Sequence, residues 1–133
     1  MNRRGTRRLA AVLVAAVLVG SCDSGPKSGE IVAELTTPHS SLGAAMFRVN
    51  AIEPYSIESV TEACTGCSVF TLQTTERELR GVVTGTFSAG PLLRVLVSDR
   101  NAQNAYSVTL MDLALPTYEL MGLFGSSLSF PVK

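Results

Sequence analysis

From about residue 30 onward, the apolar residues of this 133-residue chain recur at every second position, and that period constrains the fold more than any other feature. Ala45, Phe47, Val49 and Ala51 alternate with Met46, Arg48 and Asn50, and Phe70, Leu72 and Thr74 alternate with Thr71 and Gln73. Leu128, Phe130 and Val132 repeat the pattern further on. Successive side chains of a strand point to opposite faces, so each run predicts a strand with one face on a core. Pro91-Leu92-Leu93-Arg94-Val95-Leu96-Val97 is nearly continuous apolar, which predicts a strand covered on both faces. Tyr106, Val108 and Leu110 set one phase and Leu113 and Leu115 the other, which places a bulge or bend near Met111-Asp112.

The pattern predicts strands near 30–37, 44–51, 57–62, 68–75, 78–88, 91–98, 106–115 and 126–133. Turn residues punctuate them at Thr37-Pro38-His39-Ser40-Ser41, Glu53-Pro54, Thr65-Gly66, Ala89-Gly90-Pro91 and Asn101 through Asn104. Two readings stay open for 116–124: Tyr118-Glu119-Leu120 as a further short strand, or one or two helical turns within Thr117 to Leu123. Pro131 suits a sheet edge, where its missing N–H costs no ladder bond. The expected fold over 30–133 is all-β: an antiparallel two-sheet sandwich of jelly-roll or Greek-key type with eight to nine strands.

The first residues obey a different logic. Arg3, Arg4, Arg7 and Arg8 precede an apolar run from Leu9 to Val19, and Gly20-Ser21-Cys22 follows. A basic start, a short apolar stretch and a small-residue cleavage site make residues 1–21 a signal peptide. Eleven apolar residues form a helix of about 16 Å, half a bilayer's hydrocarbon thickness and too short to span it. Val19-Gly20-Ser21-Cys22 resembles a lipobox, the bacterial lipoprotein signal. That resemblance implies a Cys22 that is diacylated and becomes the new N-terminus, and two acyl chains suffice for stable anchoring. Residues 22–29 then read as a flexible polar tether. The plainer alternative is secretion with cleavage near Cys22 and no lipid. The Arg-Arg pairs lack the residues that complete a twin-arginine signal, so general secretion is expected. Asp23 favours inner-membrane retention under the enterobacterial rule, which other lineages do not follow, and the leaflet stays open.

Without residues 1–21 the remaining 112 residues suit one domain, with 7 basic and 11 acidic side chains and a net charge near −4. No basic run survives, which disfavours nucleic acid as a partner, because phosphate neutralisation needs clustered Lys and Arg.

Cys64-Thr65-Gly66-Cys67 is the most conspicuous local motif, and in an exported protein it reads as a disulfide across a tight turn. A thiol-disulfide oxidoreductase using Cys64 and Cys67 is the alternative. Such an enzyme needs its first cysteine at a helix N-terminus, whereas Ser68-Val69-Phe70-Thr71-Leu72 reads as a strand. Zinc would need two further ligands, and Cys22 and His39 are respectively acylated and remote, so no metal or other cofactor is expected. His39, the sole histidine, has no Gly-x-Ser-x-Gly partner motif and reads as a loop residue. Glu76 and Glu78, flanked by Arg77 and Arg80, could be a carboxylate pair but read as a charged hairpin. Asp99, Asn101 and Asn104 offer oxygens for calcium without a carboxylate cluster. Tyr55, Tyr106 and Tyr118 could stack on sugars, although core tyrosines with satisfied hydroxyls are commoner. Met121-Gly122-Leu123-Phe124-Gly125 either folds inward or forms a contact patch.

Gly43 to Val49, Gly81-Val82-Val83-Thr84-Gly85 and Gly90 to Val97 together resemble the cohesin-like and carbohydrate-binding-like sandwich domains of bacterial surfaces. The resemblance spans about residues 30–133. It implies a jelly roll of about nine strands, no enzymatic activity, and a face for a protein or polysaccharide partner. The Cys-Thr-Gly-Cys turn is not part of that pattern, and no position matches a partner-binding residue. The expected protein is a non-catalytic lipoprotein of the cell envelope, lipid-anchored through Cys22, with a purely structural envelope role as a further alternative.

Overall fold

The computed structural model describes residues 25–131. The signal peptide expected over 1–21, Cys22 and the start of the tether, and Val132 and Lys133 lie outside the described residues. Among the described residues nine strands follow one another: β1 (Gly29–Thr36), β2 (Leu42–Ala51), β3 (Ile57–Glu62), β4 (Ser68–Thr75), β5 (Glu78–Phe87), β6 (Gly90–Val97), β7 (Tyr106–Ala114), β8 (Leu120–Met121) and β9 (Ser127–Ser129). A 3-10 turn, Gln103–Ala105, precedes β7.

They form two antiparallel sheets, a four-stranded one in the order β3-β6-β1-β9 and a five-stranded one in the order β4-β5-β2-β7-β8. The expected all-β sandwich is therefore the fold. Pairing is nested, β4 with β5, β3 with β6, β2 with β7 and β1 with β9, so the chain doubles back on itself like one long hairpin folded across two layers. Period-two burial explains the layers. Ile31, Ala33 and Leu35 of β1, Ala45, Phe47 and Val49 of β2, and Leu93, Val95 and Val97 of β6 all point between the sheets. Phe47 is the largest of the fully buried side chains. Its ring fills the space over Gly81, where an added Cβ would come within 2.6 Å of Phe47 Cζ.

Several expectations need correction. β4 has the expected limits but not the expected facing: Phe70 is 62 % exposed and Leu72 is 67 % exposed, while Val69 is the residue that packs on the core. β4 is an edge strand, and Thr71 and Gln73 on its other face are exposed as well, with Gln73 Nε2 donating across to Ile57 O of β3 at 2.8 Å. β6 is not covered on both faces. Leu93, Val95 and Val97 are buried, but Arg94 is exposed and Leu96 half-buried on the outer side. Leu92 joins the core because the β1–β6 register shifts between Ala33 and Glu34, which lets two neighbouring residues face inward. Of the strand expected over 126–133, the described residues form only Ser127–Ser129, and Pro131 lies just beyond it rather than within the sheet edge. Residues 116–124 hold a turn and the two-residue β8, not a helix. The bulge expected near Met111-Asp112 is present: the β2–β7 register shifts between Met46 and Phe47, opposite Met111.

The sandwich has two distinct ends. One carries the tether, the β2–β3 loop, the Glu76-Arg77 hairpin turn and loop 98–105; the other carries His39, the cysteine turn and the loop after β8.

Candidate functional site

The cysteine turn sits where the chain crosses from β3 in one sheet to β4 in the other. Gly66 adopts a left-handed φ of 76°, which tightens the corner and brings Cys64 and Cys67 to disulfide distance, their Cα atoms 5.7 Å apart. Cys67 is buried, and strand β5 passes beneath it without a side chain at Gly85. Ser68 opens a strand, so no helix N-terminus bears on either sulfur. A bridge across so short a loop constrains the unfolded chain modestly, by about 2 kcal/mol. Replacing both cysteines with serine is expected to lower the unfolding free energy by about that amount, read from urea denaturation. Unchanged stability would mean that the pair does not staple the corner.

The other candidates separate in space. His39 lies half-buried at the cysteine end, its backbone N–H donating to Thr37 Oγ1 at 3.3 Å. Glu76 is in the exposed hairpin turn, whereas Glu78 accepts a 2.9 Å hydrogen bond from Thr74 Oγ1 and lies 3.4 Å from Arg80 Nη2. That hydroxyl, followed by the arginine charges, holds the Glu78 carboxyl below its ordinary value. The two glutamates belong to a solvated hairpin and do not converge on a cleft. Asp99 caps its own loop, Oδ1 accepting from the Asn101 N–H at 3.0 Å and from the Lys27 N–H at 3.4 Å. Among the described residues no three His, Cys, Asp or Glu side chains gather as a metal site requires.

Tyr106 is buried, and its hydroxyl accepts from the Asp99 N–H at 3.1 Å with Ser98 Oγ 3.3 Å away. It is a corner tyrosine that holds loop 98–105 against the core. Tyr55 packs edge-on against it with ring centroids 5.9 Å apart. Tyr118, in contrast, is exposed at the cysteine end with a left-handed φ of 65°. In the Met121–Gly125 segment, Met121 and Leu123 pack on the core and Phe124 stands in solvent, so both expected readings hold in part.

Two of the separate sequence candidates do meet, in a cleft of about 910 Å³ at the tether end. It exists because β8 is short: it pairs only with Leu113 and Ala114, and among the described residues no strand lies beside the first residues of β7, Tyr106 to Val108, on that side. The gap lies between β7 and β9 and is roofed by loop 98–105. Its walls carry the Tyr55 and Phe130 rings, Arg100, and the amide-bearing Asn101, Gln103 and Asn104. A second hollow of about 510 Å³ shares Arg100, Asn101 and Gln103 and continues along β1 past Glu30 and Glu34. Gln103 Nε2 donates to Pro131 O at 2.6 Å, bridging the loop to the segment after β9. The Arg100 stem lies over Gly29, and the Arg100 backbone N–H donates to Lys27 O at 2.8 Å, fastening the tether to the cleft rim. Ser129 and Phe130 carried no sequence signal as site residues, because their place beside loop 98–105 arises only when the two ends of the domain meet.

No protein-family profile matches the chain, and neither a curated protein nor a solved structure matches it significantly.

Proposed function

We propose that the chain is a non-catalytic lipoprotein of the cell envelope, held to a membrane through acylated Cys22, and that its sandwich binds a polysaccharide in the cleft at the tether end. The observation that carries this reading is the chemistry of that cleft. Planar amides of Asn101, Gln103 and Asn104 can donate and accept at once, which suits vicinal sugar hydroxyls, and the Tyr55 and Phe130 rings offer apolar faces for a pyranose. Arg100 adds a forked donor for an acidic or hydroxyl-rich polymer. The resemblance to cohesin-like and carbohydrate-binding-like domains points the same way. A second reading, an extended peptide as ligand, is favoured by the unpaired side of β7 over Tyr106 to Val108, where a strand could add to the sheet.

Calorimetric titration of the full chain in mild detergent tests this, using solubilised envelope polysaccharide as the probe. Saturable binding is expected, and R100A should weaken it about tenfold, the worth of one charge-assisted hydrogen bond. Asn104→Ala should weaken it less. Saturable binding that neither variant changes would remove the cleft from the proposal, and no binding would overturn the glycan reading.

A further inference from the structure

We propose that β4 is a pairing edge for a second copy of this chain, joining two five-stranded sheets into one ten-stranded sheet across a two-fold axis. The proposal rests on β4 alone and is independent of the cleft.

Among the described residues the sandwich has four edge strands: β3, β9, β4 and β8. An open edge offers unpaired N–H and C=O groups to any other strand, so edges are usually short, charged or broken. Three of these follow that rule. β8 has two residues, β9 has three and is followed closely by Pro131, and β3 carries Glu58 and Glu62. β4 does not. Its eight residues, Ser-Val-Phe-Thr-Leu-Gln-Thr-Thr, contain no charge and no proline, and five of them, Val69, Phe70, Thr71, Thr74 and Thr75, are of strand-favouring types. Phe70 and Leu72 project from its outer face into solvent.

The sequence of β4 is also complementary to itself. Antiparallel pairing about a two-fold axis perpendicular to the sheet keeps both outer faces on one side, so residues of like parity must oppose each other. Centred on Thr71, that pairing sets Phe70 opposite Leu72 of the second copy, and Leu72 opposite its Phe70. Two apolar cross-strand pairs then flank the axis on the outer face, while Thr71 meets Thr71 on the other. Within each copy the cluster continues along the sheet, because Phe70 is in register with Val82, and Val82 with Met46. No like charges meet across the strand, since β4 has none. A contact between identical patches closes on itself, so a dimer forms and not a fibre.

A cysteine at the axis reports the register directly. Paired antiparallel residues have Cα atoms about 4.5–5.5 Å apart, within disulfide range. Thr71→Cys in the full chain, purified in mild detergent and mildly oxidised, is expected to give a disulfide-linked dimer on a non-reducing gel, at least fivefold above the unsubstituted chain. Ser59→Cys, on the β3 edge, should give no such increase. Adding F70E and L72E to the Thr71→Cys chain should abolish the dimer. Both residues are exposed, and an unchanged thermal melt would show that the domain still folds. A Thr71→Cys chain that stays monomeric would overturn the proposal. Equal cross-linking from Ser59→Cys, or a dimer band that survives F70E and L72E, would overturn it equally.

Discussion

Phe47→Ala is expected to cost about 4 kcal/mol of unfolding free energy, the largest loss from any single truncation in the domain. The magnitude follows from where the ring sits. Phe47 is 1 % exposed in the middle of β2, the central strand of the five-stranded sheet, and its ring occupies the space a side chain at Gly81 would otherwise fill. Removing it therefore opens a cavity that the surrounding sheets close only in part, and the penalty adds lost transfer energy to lost packing. Small domains are stable by about 5–15 kcal/mol, so this one change consumes a large part of the margin. In a domain of this size it should lower the melting temperature by about 20 °C. F124A supplies the internal control, because the same residue type after β8 is 96 % exposed and should change stability by under about 1 kcal/mol. Urea unfolding of both variants decides the matter. Equal losses would show that the two positions are not buried as described.

Cys22→Ala should move the chain from the membrane fraction to the soluble fraction almost completely. Under the proposed anchoring, two acyl chains insert at about 0.8 kcal/mol per methylene, far more than a polar, weakly acidic domain supplies by itself. The domain should fold unchanged, since the tether contributes no core residue before β1. Washing membranes with high salt separates this from attachment through a protein partner: a lipid resists the wash, and an electrostatic contact does not. Mass spectrometry of the N-terminal peptide completes the test. An unmodified mature N-terminus at or beyond Cys22 in a wholly soluble wild-type protein would remove the anchor from the account.

Much of the fold is legible in the sequence because burial between two sheets imposes period two. Ala45, Phe47 and Val49 alternate with residues that stay partly in water, and the structure buries them in that phase. The phase change between Leu110 and Leu113 likewise betrays a bulge in advance, because only an added residue can restore Leu113 to the inner face. β4 is a different case. Phe70 and Leu72 are larger than Val69 and Thr71, so composition favours burying them, yet the strand's place at the edge decides otherwise. Edge position follows from which strands pair, and pairing is set by contacts between residues far apart in the chain.

The candidate cleft divides along the same line. Tyr55, Tyr106 and the polar run from Asp99 to Asn104 stand out in the sequence as separate features with separate explanations. Their convergence depends on β8 stopping after two residues and on β9 lying across from β7, and neither is a local property. The cysteine turn needs no such help, since three residues of separation and a left-handed Gly66 define it locally.

Fastening Lys27 to the rim of loop 98–105 shortens the leash. Of residues 22–28, only Cys22 to Pro26 remain ahead of the first hydrogen bonds to the domain, and five residues reach at most about 18 Å. A small globular domain is about 30 Å across. Under the proposed acylation of Cys22, the tether end and its cleft would be held closer to the bilayer than the width of a folded domain, which would favour a thin polymer lying along the membrane over a globular partner.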